Sequence, residues 1–269
     1  MDFKENNNLL KTSLNSNGIL RILLDSPKNH NVLSDQIMTL IQSSLDDASI
    51  NKNVRVIIIS AEGPSFSAGH DLKELKASRK NNDKGENYFI EIMTKCSKLM
   101  QSIVNSPKPV IAEVAGTATA AGCQLVASCD LAYAGKSARF ATPGVNIGLF
   151  CSTPMVALSR NVSNKNSMEI LLTGELISSE KAEKIGLINK VIDDSNLQSY
   201  TLKMALKISK KSSMTVKIGK KAFYKQVDMT LSEAYDYTSK VMVDNMLKVD
   251  AEEGIDAFIE KRNPNWQDK

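Results

Sequence analysis

The stretch SFSAGHDLK, residues 65–73, and the stretch AGTATAAGCQ, residues 115–124, share one composition. Each follows a short apolar run, is rich in Gly, Ala, Ser or Thr, and leads towards a helical pattern. Small residues let a ligand approach the backbone, and N–H groups at a helix start are free to bind an anion. Two such turns facing each other would form a two-donor oxyanion hole. Tight turns that serve close packing are the alternative that spacing alone leaves open.

The segments around these two stretches predict an α/β core. Apolar runs that indicate strands alternate with helical patterns, and the run at 54–59 is continuous enough to be buried on both faces. Ser34 is a predicted N-cap, and a long helix is expected to end near Pro107. The predicted strands of this half are Ile19–Leu24, Val54–Ile59, Val110–Val114 and Leu131–Ala134.

The second half of the chain is mostly helical by pattern. Ser178 or Ser179 is a candidate cap, and the sequence from Thr230 to Glu233 is a capping box before an amphipathic run. Neither a strict repeat nor a low-complexity linker divides the chain. The residues alone therefore predict an α/β core with a helical C-terminal region and no clean domain break.

Composition and charge exclude several classes of function. The net charge is +4, with 34 basic and 30 acidic residues scattered along the chain. No basic tract marks a nucleic-acid interface. No apolar run reaches the roughly 18 residues of a membrane span. The two signature stretches match neither a phosphate-binding loop nor a dinucleotide fingerprint.

The cysteines and the N-terminus indicate a reducing compartment. Four cysteines occur without a CxxC pair, and with two histidines in the chain no metal site is expected. Buried free thiols are the default. Residues 1–12 carry no pattern of a signal or transit peptide. We expect a cytoplasmic protein, or a mitochondrial one if a transit peptide has been removed.

Longer motifs give the chain a family resemblance. SFSAGHDLKEL (65–75) resembles the first oxyanion-hole loop of the enoyl-CoA hydratase/isomerase (crotonase) superfamily, and the segment at 108–149 resembles its second signature. TGELISSEKAEKIGLINKVI (173–192) and EEGIDAFIEKRNPNW (252–266) are similar to the same superfamily. The resemblance covers nearly the whole chain from about residue 14. One subgroup is especially similar at 60–75, 117–132, 140–154 and 223–226.

The resemblance implies an α/β fold in which a spiral of ββα turns forms the core. The expected division is a spiral core at 1–200 and a C-terminal helical region at 201–269 that supports a homotrimer or a dimer of trimers. It implies a CoA thioester as substrate or ligand, no prosthetic group and no metal.

By motif position the resemblance assigns individual roles. The backbone N–H groups of His70 and Ala121 would be the two oxyanion donors. Ala68 and the backbone of Asp71 and Leu72 would line the adenine and pantetheine part of CoA. Lys261 would reach a CoA phosphate, in some relatives across the trimer interface.

The chain departs from the family at the two glutamates with which hydratases hold water and move its proton. Gln124 and Gly144 stand at these positions. General acid–base chemistry needs a titratable group within reach, and a neutral amide orients water without accepting its proton. Ordinary hydration is therefore not expected. Gly144 is also expected to enlarge the pocket for a bulkier acyl group or for a base from elsewhere.

Several side chains are candidates to replace the glutamates. His70 is the titratable one, although its side chain also suits a structural or ligand-edge role. Asp71 fits a turn cap better than a base. Cys151 is expected to line the pocket unless a neighbour activates it, and Asn146 is a candidate to bind water or substrate.

Three functions remain open from the sequence. The first is an enzyme acting on a CoA thioester, nominally an enoyl-CoA hydratase or isomerase, with an unassigned reaction. The second is a non-catalytic acyl-CoA binding or regulatory protein of lipid metabolism. The third is an assembly or RNA-associated role, against which the missing basic tract argues.

Overall fold

A computed structural model describes the backbone of residues 4–6 and all of residues 8–269. The strands are β1 Lys4–Asn6, β2 Leu10–Leu14, β3 Ile19–Leu24, β4 Val56–Ala61, β5 Ser65–Ser67, β6 Val110–Val114, β7 Thr117–Thr119, β8 Leu131–Gly135, β9 Arg139–Ala141, β10 Ile177–Ser178 and β11 Lys190–Ile192. The helices are α1 Asp35–Ile50, α2 Leu72–Ser78, α3 Glu86–Asn105, α4 Ala121–Ser128, α5 Pro154–Ser159, α6 Asn164–Thr173, α7 Ser179–Lys184, α8 Leu197–Ser209, α9 Ser213–Gln226, α10 Leu231–Met246 and α11 Val249–Ile259. Short 3-10 turns lie at Pro27–Asn29, Pro143–Ile147 and Asp194–Asn196.

Two sheets share the chain in a repeating way. The large sheet has the order β1-β2-β3-β4-β6-β8-β11, and the small sheet has the order β10-β9-β7-β5. Each of the pairs β4/β5, β6/β7 and β8/β9 gives its first strand to the large sheet and its second to the small one, and helices follow each pair. The neighbours from β3 to β11 and from β5 to β9 run parallel. This is the expected ββα spiral, and the predicted fold class is confirmed.

Apolar side chains explain why the layers stay together. Strand β4 is buried along nearly its whole length, as its continuous apolar run predicts. One core lies between the sheets and helices α1, α3 and α4. A second lies on the other face of the large sheet, where α8 packs against β3, β4, β6 and β8.

Helix caps follow the sequence signals. The Ser34 hydroxyl accepts from the N–H of Ile37 at 3.2 Å, and the Ser178 side chain caps α7 in the same way. The capping box of Thr230 and Glu233 is formed. The expected boundary at residue 200 falls inside α8, which packs on the large sheet.

Helix α9 is fastened to the core by one polar cluster. The Lys220 ammonium lies 2.7 Å from the Asp130 carboxylate, and the Tyr224 hydroxyl donates to the same carboxylate at 3.0 Å. Beyond it, α10 buries none of its side chains, whereas α11 buries Asp250 and Ala257. Among the described residues, no helix is long and apolar enough to cross a membrane.

Candidate active site

The small sheet brings the two small-residue stretches together. Strands β5 and β7 are parallel neighbours, with Ser65 opposite Thr117, so each stretch leaves its strand at the same edge of the sheet. Gly122 then lies directly on the first stretch, because a Cβ atom placed on it would be 2.2 Å from the Ser67 carbonyl oxygen. Only glycine permits this approach of α4 to the loop.

The first donor peptide joins Gly69 to His70. The Gly69 carbonyl accepts a hydrogen bond from the Leu33 N–H at 2.7 Å. In a trans peptide the N–H points opposite to the carbonyl, so the His70 N–H points away from Leu33. Among the described residues it has no hydrogen-bond partner.

The second donor peptide joins Ala120 to Ala121. The Ala120 carbonyl accepts from the Gln124 N–H at 3.0 Å, which turns the Ala121 N–H outward from the start of α4. Ala120 has φ +50° and ψ −120°, a conformation that L residues rarely adopt. A Cβ atom placed on Gly69 would be 3.1 Å from the Ala121 nitrogen. The two donor peptides are therefore immediate neighbours.

The His70 imidazole lies inside the protein. Both ring nitrogens are inaccessible to solvent, and neither has a hydrogen-bond partner among the described residues. Burial lowers the pKa of His70 from its ordinary value, while the backbone of Leu33 acts in the opposite direction. Burial thus disfavours the charged imidazolium relative to the neutral ring.

Gln124 is a buried residue of helix α4, and it lies about one turn after Ala121. Its side-chain oxygen lies 3.9 Å from the Cys96 sulfur. Its amide nitrogen makes no hydrogen bond to any described side chain or backbone group. A neutral amide with a free donor is thus held close to the donor peptides.

The position of Gly144 differs from the expectation of extra room. Its N–H donates to the Cys151 sulfur at 3.4 Å. A Cβ atom placed on Gly144 would be 2.7 Å from the Leu149 carbonyl oxygen and 2.9 Å from the Cys151 sulfur. The loop that follows the 3-10 turn folds back over the glycine, so the expected enlargement of the pocket at this point is wrong.

The thiols near the site are not activated. Cys151 is buried, and burial raises the pKa of its thiol. Burial likewise raises the pKa of Cys123 to about 12 and that of Cys96 to about 12. A thiol nucleophile needs the opposite shift. These side chains therefore line the site as apolar groups.

The residues that follow the first donor form an exposed rim. The Asp71 carboxylate caps α2 by accepting from the Lys73 N–H at 2.8 Å, so its observed contact is structural. Leu72 is exposed. Ala68 is exposed too, and its N–H donates to the His30 carbonyl oxygen at 3.0 Å.

Two predicted site residues are not brought into contact with the donor peptides. Asn146 is exposed and lies beside Gly174, 3.1 Å from a Cβ atom placed there. Lys261 is exposed at the end of α11 with φ +55°. Glu113, the acidic residue before the second stretch, is held in a buried ion pair by Arg21 at 2.5 Å.

Sequence reasoning missed the residues that hold the first donor in place. Leu33 fixes the Gly69 carbonyl, and Glu74 accepts hydrogen bonds from α1 and α3. Their partners are far away in sequence, and no local motif signals these contacts.

A family model described as Enoyl-CoA hydratase/isomerase matches residues 15–269. A protein of Xenopus laevis named enoyl-CoA hydratase domain-containing protein 3, mitochondrial, is 50% identical over 249 residues, which span 93% of this chain and 83% of that protein. The similarity to one subgroup, expected from segments such as 60–75, is confirmed by this match.

Solved structures of proteins from the same family are similar to this chain. The crystal structure of human enoyl-CoA hydratase domain-containing protein 3 has a TM-score of 0.91 at 48% identity and covers 96% of this chain and 100% of that one. An enoyl-CoA hydratase of Mycobacterium smegmatis has a TM-score of 0.91 at 41% identity, covering 96% and 98%.

Proposed function

This chain belongs to the enoyl-CoA hydratase/isomerase family, and from that premise we propose that it binds an acyl-CoA thioester with the carbonyl oxygen between the N–H groups of His70 and Ala121. The observation that carries the proposal is the pair of neighbouring peptides whose carbonyls accept hydrogen bonds and whose N–H groups have no partner within the part of the chain that the structure describes. Such donors need no reorganisation when charge develops on the oxygen.

The same arrangement supports chemistry that passes through an enolate or a tetrahedral oxyanion. Loss of one donor of this kind commonly costs about 2.7–4 kcal/mol of transition-state stabilisation. The thioester would be the substrate or ligand, and no prosthetic group enters the proposal. Ordinary hydration is not part of it, because Gln124 is an amide and Gly144 has no side chain.

The CoA portion would extend along the exposed rim formed by Ala68, Asp71 and Leu72. Two exposed lysines are close to this rim along the chain: Lys28 lies two residues before His30, whose carbonyl accepts from the Ala68 N–H, and Lys73 follows Leu72 in the first turn of α2. Exposed ammonium groups suit the phosphates of CoA as point charges. We assign Asn146 and Cys151 to the acyl end of the same site.

A second candidate function is acyl-CoA binding without turnover. The observation that favours it is chemical: the two glutamate positions carry an amide and a glycine, and burial keeps the neighbouring thiols protonated near neutral pH. Among the proposed site residues, His70 is then the candidate base, and because both of its ring nitrogens are buried, it would act only where the bound thioester reaches them. The two functions therefore differ in whether His70 reaches the bound thioester.

We also propose self-association through the C-terminal helices, as a trimer or a dimer of trimers. Helices α10 and α11 and the residues that join them expose several large apolar side chains, with Leu247 at 80% and Phe258 at 85% exposure. Apolar patches of this kind mark interaction surfaces. Lys261, three residues after Phe258, would then reach CoA bound to a neighbouring subunit.

The test measures thermal stability with acyl-CoAs of different chain length and with free CoA, followed by mass spectrometry of the same samples. A ligand that binds the native state raises its apparent stability. Stabilisation by acyl-CoAs beyond that by CoA, with a changed acyl mass, supports an enzyme. The same stabilisation with unchanged thioesters supports the binding protein, and no stabilisation by any thioester contradicts both.

A further inference from the structure

Glu74 joins three helices next to the first donor peptide. It is on α2, and its Oε2 atom accepts a hydrogen bond from the Asp35 N–H at the start of α1, at 3.1 Å. The same oxygen accepts from the Tyr88 hydroxyl on α3, at 3.0 Å. A carboxylate at a helix N-terminus is electrostatically favoured there. Both bonds therefore converge on one half-buried carboxylate oxygen.

Few other contacts hold α2. Leu72, Lys73, Lys76 and Ala77 are exposed, and Ser78 is the residue of this helix that is buried. Leu75 packs on the core only in part. A helix with so little apolar burial depends on its polar contacts for its place.

The segment at 33–35, where α1 begins, grips the first loop and helix α2 at one point each. The Leu33 N–H holds the Gly69 carbonyl at 2.7 Å, and two residues later the Asp35 N–H holds Glu74. Between these grips lie His70 and the cap residue Asp71. Loss of the hydrogen bond between Asp35 and Glu74 would leave α2 and its cap residue free to rotate about the hydrogen bond between Leu33 and Gly69. The peptide that carries the His70 N–H would then be held only by the Leu33 contact on the Gly69 carbonyl, so the direction of this N–H would be less well fixed.

We propose that Glu74 is a positioning residue for the oxyanion donor of His70, acting through α2 and the N-terminus of α1 without touching the ligand. The proposal rests on the proposed function, because it assumes that a thioester oxygen binds at that N–H. Tyr88 shares the role as the second hydrogen-bond partner of the carboxylate.

The experiment uses the full chain and the carbonyl stretching band of a bound, isotope-labelled acyl-CoA thioester. An oxyanion hole polarises the carbonyl and lowers this frequency. Glu74→Ala should lose most of the frequency shift and about tenfold in affinity for acyl-CoA relative to free CoA, since hydrogen bonds to charged groups are worth more than neutral ones. Glu74→Gln, whose amide oxygen is able to accept both bonds, should keep most of the shift.

Glu91→Ala is the matched control, because Glu91 is an exposed carboxylate on α3 without a hydrogen-bond partner among the described residues. It should leave the band unchanged. Hydrogen exchange of the segments 33–36 and 69–76 provides an independent readout, and Glu74→Ala and Tyr88→Phe should both accelerate it. Faster exchange there supports the proposal even if Glu74→Ala is less stable overall.

The outcomes separate the two proposals. A shifted band in the unmodified protein that persists in Glu74→Ala, with unchanged exchange, overturns the role of Glu74 alone. Absence of a shift in the unmodified protein overturns the oxyanion hole and with it the positioning role. Loss of free-CoA binding in parallel with the band shift would show a general structural effect and also overturn the proposal.

Discussion

The candidate site has two halves: the loops that carry the two N–H groups, and the positions of Gln124 and Gly144. The two halves differ in how far their side chains match the family motifs. On one side, Gly69 and Gly122 keep the close backbone contacts that place two free N–H groups next to each other. On the other side are Gln124 and Gly144, at the positions where the motif resemblance leads us to expect the glutamates of the hydratases. The loop at 149–151 packs directly on Gly144. In the proposed function, the first half stabilises developing charge, and the second half has no carboxylate with which to move a proton.

The difference shows that a missing side chain does not leave a vacancy. A backbone donor requires only a loop conformation, which glycines and hydrogen bonds preserve. A catalytic carboxylate requires space and polar surroundings, and here Cys151 and the Leu149 carbonyl occupy that space. The space around Gly144 is therefore filled by the loop that follows it.

The largest expected effect comes from separating the two donor peptides. Gly122→Ala places a Cβ atom 2.2 Å from the Ser67 carbonyl oxygen, so the loops must move apart. We expect a loss of stability of about 1–3 kcal/mol or more. Acyl-CoA should no longer bind more tightly than free CoA. Chemical denaturation and calorimetric binding measure the two quantities.

Gly219→Ala is the control for this substitution. Gly219 is on the exposed face of α9, and nothing lies within 4 Å of a Cβ atom placed there. Replacing a helical glycine by alanine should raise stability by up to about 1 kcal/mol. If Gly122→Ala bound acyl-CoA as well as Gly219→Ala does, the donor peptides would not be the thioester site.

The next largest effect is expected when glutamates are placed at positions 124 and 144, which tests whether these positions accept the carboxylates of a hydratase. Gly144→Glu has to displace the Leu149 carbonyl or the Cys151 thiol, so we expect a destabilisation of about 1–3 kcal/mol. The double variant Gln124→Glu/Gly144→Glu should not hydrate an enoyl-CoA, as followed by the ultraviolet absorbance of the conjugated thioester. Gln124→Glu alone adds no volume at Gly144 but buries a carboxylate, so it measures the part of the destabilisation that does not come from crowding at Gly144. Efficient hydration by the double variant would show that the packing around Gly144 yields easily.

The sequence predicts the loops that carry the two N–H groups more completely than it predicts the packing around Gly144. The caps at Ser34 and Thr230, the apolar strands and the small-residue loops are local patterns, and the structure forms each of them. The absence of both glutamates is also visible from sequence. The filling of the space at Gly144 by Cys151 is not, because it depends on how the chain folds back after a 3-10 turn.

Contacts between segments that are distant in the chain also could not be predicted from the sequence. The strand predicted at 54–59 runs from Val56 to Ala61, because pairing with β3 rather than hydropathy sets its ends. The grip of Leu33 and Asp35 on the first loop joins segments that are remote in sequence. Such contacts follow from tertiary structure and leave no periodic signal.

A smaller effect concerns the pH dependence of stability. Burial lowers the pKa of His70 below its unfolded value near 6.5, so below that pH the unfolded state binds more protons than the folded state. His70 therefore destabilises the fold as pH falls through and below about 6.5, and has no such effect above it. His70→Ala should flatten the free energy of unfolding between about pH 7.5 and pH 5 relative to the unmodified protein.

His30→Ala is the matched control, because it removes the other histidine, which is exposed. Equal flattening in both variants would contradict the assignment of the pH dependence to the buried ring. If bound acyl-CoA further changes the profile only where His70 is present, the imidazole contacts the ligand and the enzymatic reading gains support.

The smallest effect lies within the intact half, at Ala120. This residue turns the chain into α4 with φ +50°, where alanine is strained by about 1–3 kcal/mol and glycine is not. Glycine also increases the entropy of the unfolded chain, which offsets about 0.4–1 kcal/mol of the relief. Ala120→Gly should therefore raise the denaturation midpoint slightly and leave acyl-CoA affinity unchanged. Ala118→Gly, at a buried strand position without positive φ, should lower stability instead. A loss of thioester affinity in Ala120→Gly would mean that the strain itself holds the Ala121 donor in its productive direction.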